Sequence, residues 1–496
     1  MASITIHPFN GGRHRIASDG RMPSPARLFK PGIFRKLERK MSIKVQRRKL
    51  DKSRAHYREA VKHLPLGVSS NFRFWGEDET VFVKHGKGAR LWDLDGNEYI
   101  DYRLGYGPAI LGHCHPEVDA AAREGQNVGT VFALGTEKEV TVAKLIKEMM
   151  PAADLVRFSN SGTEAVMAAL RLARGYTGKD NYVTFEGSYH GLFDASMWTA
   201  DPETMKDQTK DPVVIPYGQG IPQLIRNLFW QVPYNDAQRL EDVLKKHHDS
   251  IAAVLIEPIL GNCCGIPSKP EFIKAVRALC TKYNVLMIVD EVKTGFRVGK
   301  GGAQALYGIE ADIFTVAKAV ANGYPISAIG GKEEIMRKYG KGVAHGGTYT
   351  AQAMSLAAAE KTLTILRDTD ALDKIAAYGK AMQEGMGKVL KKRGIPHSFT
   401  GHHSMSGLFF SAEAPTTYRN WKLSDYTFYD TMAGYLIDMG VMCEPDSREP
   451  WFISSAHDQK CLEETLTKFE EAVDLTLDEL SKGRHDEDKL MPGISG

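Results

Sequence analysis

Cysteine is scarce. The 496-residue chain has six, at Cys114, Cys263, Cys264, Cys280, Cys443 and Cys461. That number and spacing exclude a disulfide scaffold and a CxxC zinc knuckle, so no metal is expected and the setting reads as reducing and cytoplasmic. Long apolar runs are also missing. No stretch approaches the roughly 18–20 residues of a membrane-spanning helix, which argues against a membrane partner. Internal repeats are absent. A large excess of charge of one sign is lacking too, the formal net charge being +3.

That small net charge hides an asymmetry. Residues 1–50 carry 13 Lys plus Arg against Asp19 and Glu38, a net of +11, and the remaining chain is left at −8. A mildly acidic body argues against nucleic acid as its main partner. Three readings of the basic arm stay open: an RNA-binding tail, an organelle-targeting segment and an inert extension. Met41 also permits an over-extended start. The arm has no apolar core of about 7–15 residues, so a secretory signal is not expected.

What is present is the material of a large folded body. Hydrophobic residues make up 43% and charged residues 25%, which excludes a chain that is mainly disordered and suits two or three domains. The expected divisions are a basic arm at 1–50, an N-terminal segment with a small antiparallel sheet at 51–115, and a large α/β domain at 116–355. A linking helix with a smaller α+β domain follows at 356–480, and a loose tail at 481–496. Asp95-Gly96 marks a hairpin within the alternating stretch 78–102.

From about residue 120, helix-like segments alternate with short apolar runs such as Ile251–Ile256 and Val285–Val289. Such runs, flanked by helices, predict a mostly parallel sheet buried on both faces. The stretch 194–236 lacks this rhythm and is expected to be a long active-site loop.

Four features carry chemistry. The run Val285–Val289 leads into Asp290, and an acid at the C-terminal end of a parallel strand stands where open α/β sheets bind ligands. A second apolar run, Ile313–Ala317, ends in Lys318, a cation that is costly to bury unless paired or reactive. The small residues of Ser159–Ala165, SNSGTEA, enter a helix whose free amides make a phosphate seat. Tyr189-His190-Gly191 places an aromatic after a strand. A phosphate seat, a carboxylate, an amine and a flat ring together match the needs of pyridoxal 5'-phosphate.

On these residues the chain resembles the class III, fold-type I pyridoxal-phosphate aminotransferases, and within them the glutamate-1-semialdehyde 2,1-aminomutase branch. The likeness spans about 50–480 and rests on NSGTEA at Asn160–Ala165, EGSYHG at Glu186–Gly191, IEP at Ile256–Pro258, DEVKTGFR at Asp290–Arg297, AKAVANGYP at Ala317–Pro325 and HGGTYT at His345–Thr350. It implies a large domain with a mostly parallel sheet and a small α+β domain built from both chain ends. It implies Lys318 as the Schiff-base lysine, Asp290 as partner of the pyridine nitrogen, Val292 beneath the ring and Tyr189 stacked on its other face. Ser161, Gly162 and Thr163 become the phosphate seat, and Glu257 and Asn262 line the cofactor pocket. Thr348 reaches the phosphate of a neighbouring subunit, which makes the partner a second copy of the chain, in a homodimer with shared active sites.

On the substrate side, the resemblance implies that Arg73 binds a carboxylate, for which a guanidinium fork is suited. Tyr106 stands where the mutases carry a tryptophan, and Glu449 where they carry a glutamate. Arg297 is open as a second anion contact or a structural residue. The chain departs from the mutases at 319–323, at Ala351-Gln352-Ala353 and in the aromatic 194–236 stretch with Phe229 and Trp230. These departures put first an aminotransferase that exchanges an amino group between a carboxylate-bearing, bulky or aromatic amino acid and a keto acid. The aminomutase is the alternative, and an inert scaffold on the same fold is the reading from a different class.

Overall fold

The computed structural model describes residues 47–207 and 210–482. The basic arm and the tail therefore lie outside the described residues, except for 47–50 and 481–482.

A seven-stranded sheet forms the centre. In chain order its strands are β1 Leu155–Ser159, β2 Asn181–Phe185, β3 Phe229–Val232, β4 Ile251–Ile256, β5 Leu286–Asp290, β6 Ile313–Val316 and β7 Ser327–Gly331. Across the sheet they lie in the order β1-β7-β6-β5-β4-β2-β3. The five strands from β6 to β3 run parallel, and β7 is antiparallel to both of its neighbours. Every residue of β4 is buried, as expected of a strand covered on both faces.

Helix α1, Gly162–Thr177, packs on one face. Ala165, Ala168, Ala169 and Ala173 let it lie close to Ala253, Leu255, Ile288 and Ile329 in a single core. It begins where Ser161 accepts a bond from the Glu164 amide at 3.2 Å and ends at Gly178, whose φ of 70° suits glycine. Helix α2, Ala353–Asp368, leads out of the large domain toward the C-terminal part.

Two further sheets are built from residues toward the chain ends. Val83–Lys87, Arg90–Asp93 and Glu98–Asp101 pair antiparallel, and Val441–Met442 adds a fourth strand parallel to the last of them. The small antiparallel sheet expected near the N-terminus thus takes its fourth strand from the C-terminal region. Ser398–His402, Met405–Phe409 and Trp451–Phe452 form a three-stranded antiparallel sheet. The closing helix Gln459–Ser481 completes this part.

One sequence expectation changes and one open alternative narrows. The stretch 194–236 is not all loop, because β3 is the edge strand of the central sheet. Phe229 packs with Leu170, Tyr182 and Trp198, and Trp230 stacks on His247 with ring centroids 4.6 Å apart. Four residues with mixed exposure gave no readable alternation. For Arg297, left open between an anion contact and a structural residue, the fold favours the structural part: it is 1% exposed and donates to the carbonyls of Gly107, Ser404 and Ile453. Burial pushes its guanidinium down to about 9. It fastens the 107 loop to the C-terminal sheet and touches no acidic side chain among the described residues. Replacing it with Met would leave the Gly107 and Ile453 carbonyls without that donor, while the Ser404 carbonyl would keep only the Ile453 amide at 3.1 Å. Arg297→Met is expected to cost about 3 kcal/mol, read as a lowered urea midpoint.

Candidate active site

The strand ends converge on one cavity of about 280 Å³. Ser161, Gly162 and Thr163 line it from the start of α1, and Tyr189 from the loop after β2. Glu257, Asp290, Val292 and Lys318 line it from the ends of β4, β5 and β6. This is the carboxyl edge of a parallel sheet, where side chains leaving neighbouring strands can meet over one crevice.

Asp290 is buried with His190, whose Nδ1 lies 2.8 Å from Asp290 Oδ2. The other carboxylate oxygen accepts from the Val292 amide at 3.0 Å and the Thr315 hydroxyl at 3.3 Å. One side chain is thus fixed by three donors from three segments. Glu257, 4% exposed, accepts from the Tyr189 amide at 2.7 Å and the Gly261 amide at 3.1 Å. Burial, with the Asp290 charge adding to it, pushes the Glu257 carboxyl up, while His190 and Lys293 oppose the rise. Burial raises the Tyr189 phenol to about 12, so it stays protonated.

Lys318 follows β6 in a left-handed conformation, φ 45°, at the start of a short turn. Asn322 pins that turn by accepting from the Leu111 amide at 2.8 Å and donating to the Gly112 carbonyl at 3.0 Å. The Lys318 amine makes no hydrogen bond or ion pair among the described residues. Burial first, and the Lys293 ammonium second, push it down to about 8. An unpaired amine of that kind is a nucleophile near neutral pH.

Two glycines set the approach of the parts. A Cβ on Gly162 would stand 2.9 Å from Val292 Cγ1, and one on Gly191, at φ +98°, would stand 2.6 Å from Thr163 Oγ1. The α1 entrance can therefore sit against both the Asp290–Val292 turn and the Tyr189–Gly191 loop. Its first amides, at Gly162 and Thr163, have no acceptor within the helix.

Pyridoxal 5'-phosphate fits this donor set. The α1 amides suit the phosphate, Asp290 suits a protonated ring nitrogen, and Val292 and Tyr189 offer apolar and aromatic faces. Lys318 offers a free amine.

Other residues singled out from the sequence stand differently. Asn262 does not line the cavity directly; it accepts a 2.5 Å bond from Lys293. Glu449 pairs with Lys293 at 2.6 Å. Tyr106 donates to the Phe72 carbonyl at 3.1 Å and takes a bond from Arg103. Arg73 is exposed and its side chain bonds with no described residue, although the ring of its neighbour Phe72 lies 6.5 Å from that of Tyr189. Thr348 is exposed and lies outside this cavity.

Sequence reasoning passed over Lys293, which lines the cavity at 7% exposure, and the pair of half-buried Arg103 with buried Glu444 at 2.8 Å. Lys293 stood inside the quoted DEVKTGFR motif, and a lysine three residues beyond a strand-end acid was the available signal. Arg103 lies over both Trp75 and Tyr106, at 4.7 and 4.9 Å from their ring centroids. No spacing rule links it to Glu444.

Comparison with known proteins agrees with this geometry. The family model for class-III aminotransferases matches residues 75–469. The glutamate-1-semialdehyde 2,1-aminomutase of Persephonella marina is 38% identical over 427 residues, covering 85% of this chain and 98% of that protein. The same-named protein of Aquifex aeolicus is 38% identical over 421 residues, covering 84% and 98%. Among solved structures, an ω-transaminase from Sphaerobacter thermophilus superposes with a TM-score of 0.80 at 29% identity, covering 84% of this chain and 96% of that one. The chain belongs to the class-III aminotransferase family, with the fold-type I architecture and a pyridoxal 5'-phosphate cofactor, and is closely related to its aminomutase branch.

Proposed function

We propose that the protein moves an amino group within one carboxylate-bearing amino aldehyde, as a glutamate-1-semialdehyde 2,1-aminomutase does. The likeness to the Persephonella marina aminomutase, at 38% identity over 85% of this chain and 98% of that protein, carries this reading. The fold weakens the rival argument. Phe229 and Trp230 belong to the edge of the central sheet, so they do not argue for a bulky aromatic substrate. Gln352 accepts from the Ser355 amide at the start of α2, which gives the 351–353 departure a structural use. Amino exchange between two molecules remains the second reading, favoured by the overlay on the Sphaerobacter thermophilus ω-transaminase.

When bound, pyridoxal phosphate supplies an aldehyde and an electron-withdrawing ring that stabilises negative charge beside nitrogen. The chain supplies the rest. Lys318 Nζ is the amine that would hold the cofactor and, once released, move a proton from one carbon to another. Asp290, steadied by His190, holds the ring nitrogen protonated. The Tyr189 ring covers one face and Val292 the other. Arg73, free of internal partners, takes the substrate carboxylate, with Tyr106 and Glu449 bordering that side. Glu257 and Asn262 act indirectly, through the Tyr189 loop and Lys293. Thr348 closes the phosphate site of a second copy in a homodimer, and the exposed Tyr349 and Leu134 give apolar surface for it to cover.

The Lys318 amine should be half neutral near pH 8, whereas an ordinary lysine requires about pH 10.4. The neutral amine is the form that reacts with an aldehyde. Capture of pyridoxal phosphate by cofactor-stripped protein should therefore accelerate as pH rises toward 8 and level off above it. Stopped-flow absorbance reads this, and Lys318→Ala should show no covalent capture at any pH.

Asp290→Asn should keep the cofactor and lower turnover by roughly 10²–10³-fold, since charge stabilisation is lost as carbanion character develops. Near-parental turnover would remove Asp290 from its assigned role.

The overall reaction is tested by giving the pyridoxamine form of the protein glutamate-1-semialdehyde with no keto acid present. Conversion to the isomer bearing the amine on the former aldehyde carbon is the expected result. Consumption only when an external keto acid is added, with release of a separate product, would establish the second reading.

A further inference from the structure

Among the described residues, Lys293 is the cavity's second amine. It leaves the same turn that presents Asp290 and Val292, and it is 7% exposed. Its Nζ donates to Asn262 Oδ1 at 2.5 Å and to Glu449 Oε2 at 2.6 Å. The stem needs special room: a Cβ on Gly261 would stand 2.1 Å from Lys293 Cδ. The Phe452 ring lies 5.9 Å from the ammonium. A buried lysine given a glycine-made channel, an amide and a carboxylate is held at one position. A surface lysine that merely snorkels would reach water instead.

We propose that Lys293 is a positioning residue for the amine of Lys318: its fixed ammonium, gripped by Glu449 and Asn262, governs how readily Lys318 gives up its proton. The inference rests on the reading of Lys318 as the cofactor-binding amine.

The charges around the two amines define the expected signs. Lys318 lines the same cavity as Lys293, Asp290 and Glu257, and Glu449 joins them through its 2.6 Å pair with Lys293; all four charges act on the Lys318 amine. Lys293 faces Glu449, Glu257 and the Cys263 thiol. Glu449 in turn faces the Tyr106 and Tyr189 phenols and Glu444. A cation near Lys318 favours its neutral form, and an anion favours its charged form. Removing Lys293 therefore raises the pH at which Lys318 loses its proton. Removing the Glu449 charge leaves the Lys293 ammonium unopposed and lowers it. A purely structural part for the cluster would not separate the two variants by sign.

The test uses the holoenzyme of the parent protein and of Lys293→Met, Lys293→Arg and Glu449→Gln. The pH midpoint of the bound cofactor's visible band is titrated in each. The same proteins, stripped of cofactor, are reductively methylated across a pH series, and methylation of Lys318 is read by peptide mass. Lys293→Met should raise both midpoints by about 1 pH unit, Glu449→Gln should lower both, and Lys293→Arg should restore the parental values. If Lys293→Met does not fold, Lys293→Gln takes its place, with the same rise expected. Unmoved midpoints, or shifts of the same sign in Lys293→Met and Glu449→Gln, overturn the inference. A parent protein with no visible band after cofactor loading would instead defeat the cofactor reading beneath it.

Discussion

The site depends on one buried interaction, the pairing of Asp290 with His190 at the carboxyl end of the central strand β5. An ionised carboxylate under a protein core is expensive unless its oxygens are occupied. Here a ring nitrogen, a backbone amide and a hydroxyl occupy them, and each comes from a different segment. Fixing that side chain fixes the Tyr189–Gly191 loop on one side and the Val292 turn on the other. The α1 entrance can then meet both because Gly162 and Gly191 carry no Cβ.

Around that anchor the chemistry is divided by strand. β4 delivers Glu257, β5 delivers Asp290, and β6 delivers Lys318, and β4 and β6 are the immediate neighbours of β5 in the sheet. Neighbouring parallel strands end at one edge, so the topology brings a carboxylate and an amine together without a long-range search. The cost is an amine in a place where its charge is disfavoured. The structure turns this cost to use, since a lysine pushed down to about 8 is a nucleophile at the pH of a cell.

Much of this was legible in the residues. β4 and β5 read directly as apolar runs, because strands covered on both faces need no alternation. Asp290 and Lys318 stood out because charged residues ended such runs. The NSGTEA and DEVKTGFR motifs picked out residues that line the cavity at the α1 entrance and after β5. What escaped was set by tertiary space. β7 was unreadable because its small residues answer the Phe314 ring, which lies 2.3 Å from where a Gly330 Cβ would stand. β3 escaped because an edge strand of four residues carries no period. Lys293 escaped because its burial depends on Gly261, Asn262 and Glu449, which lie far from it in sequence. Arg297 could be read from the sequence as an anion contact or as a structural residue, and only the fold shows the three backbone carbonyls it bonds.

The central claim is that Lys318 is the amine that binds the cofactor. Borohydride reduction of the pyridoxal-phosphate-loaded protein, followed by peptide mass mapping, tests it most directly. The account predicts a single phosphopyridoxyl adduct on Lys318. An adduct on Lys293 or on any other lysine, with Lys318 unmodified, would contradict it.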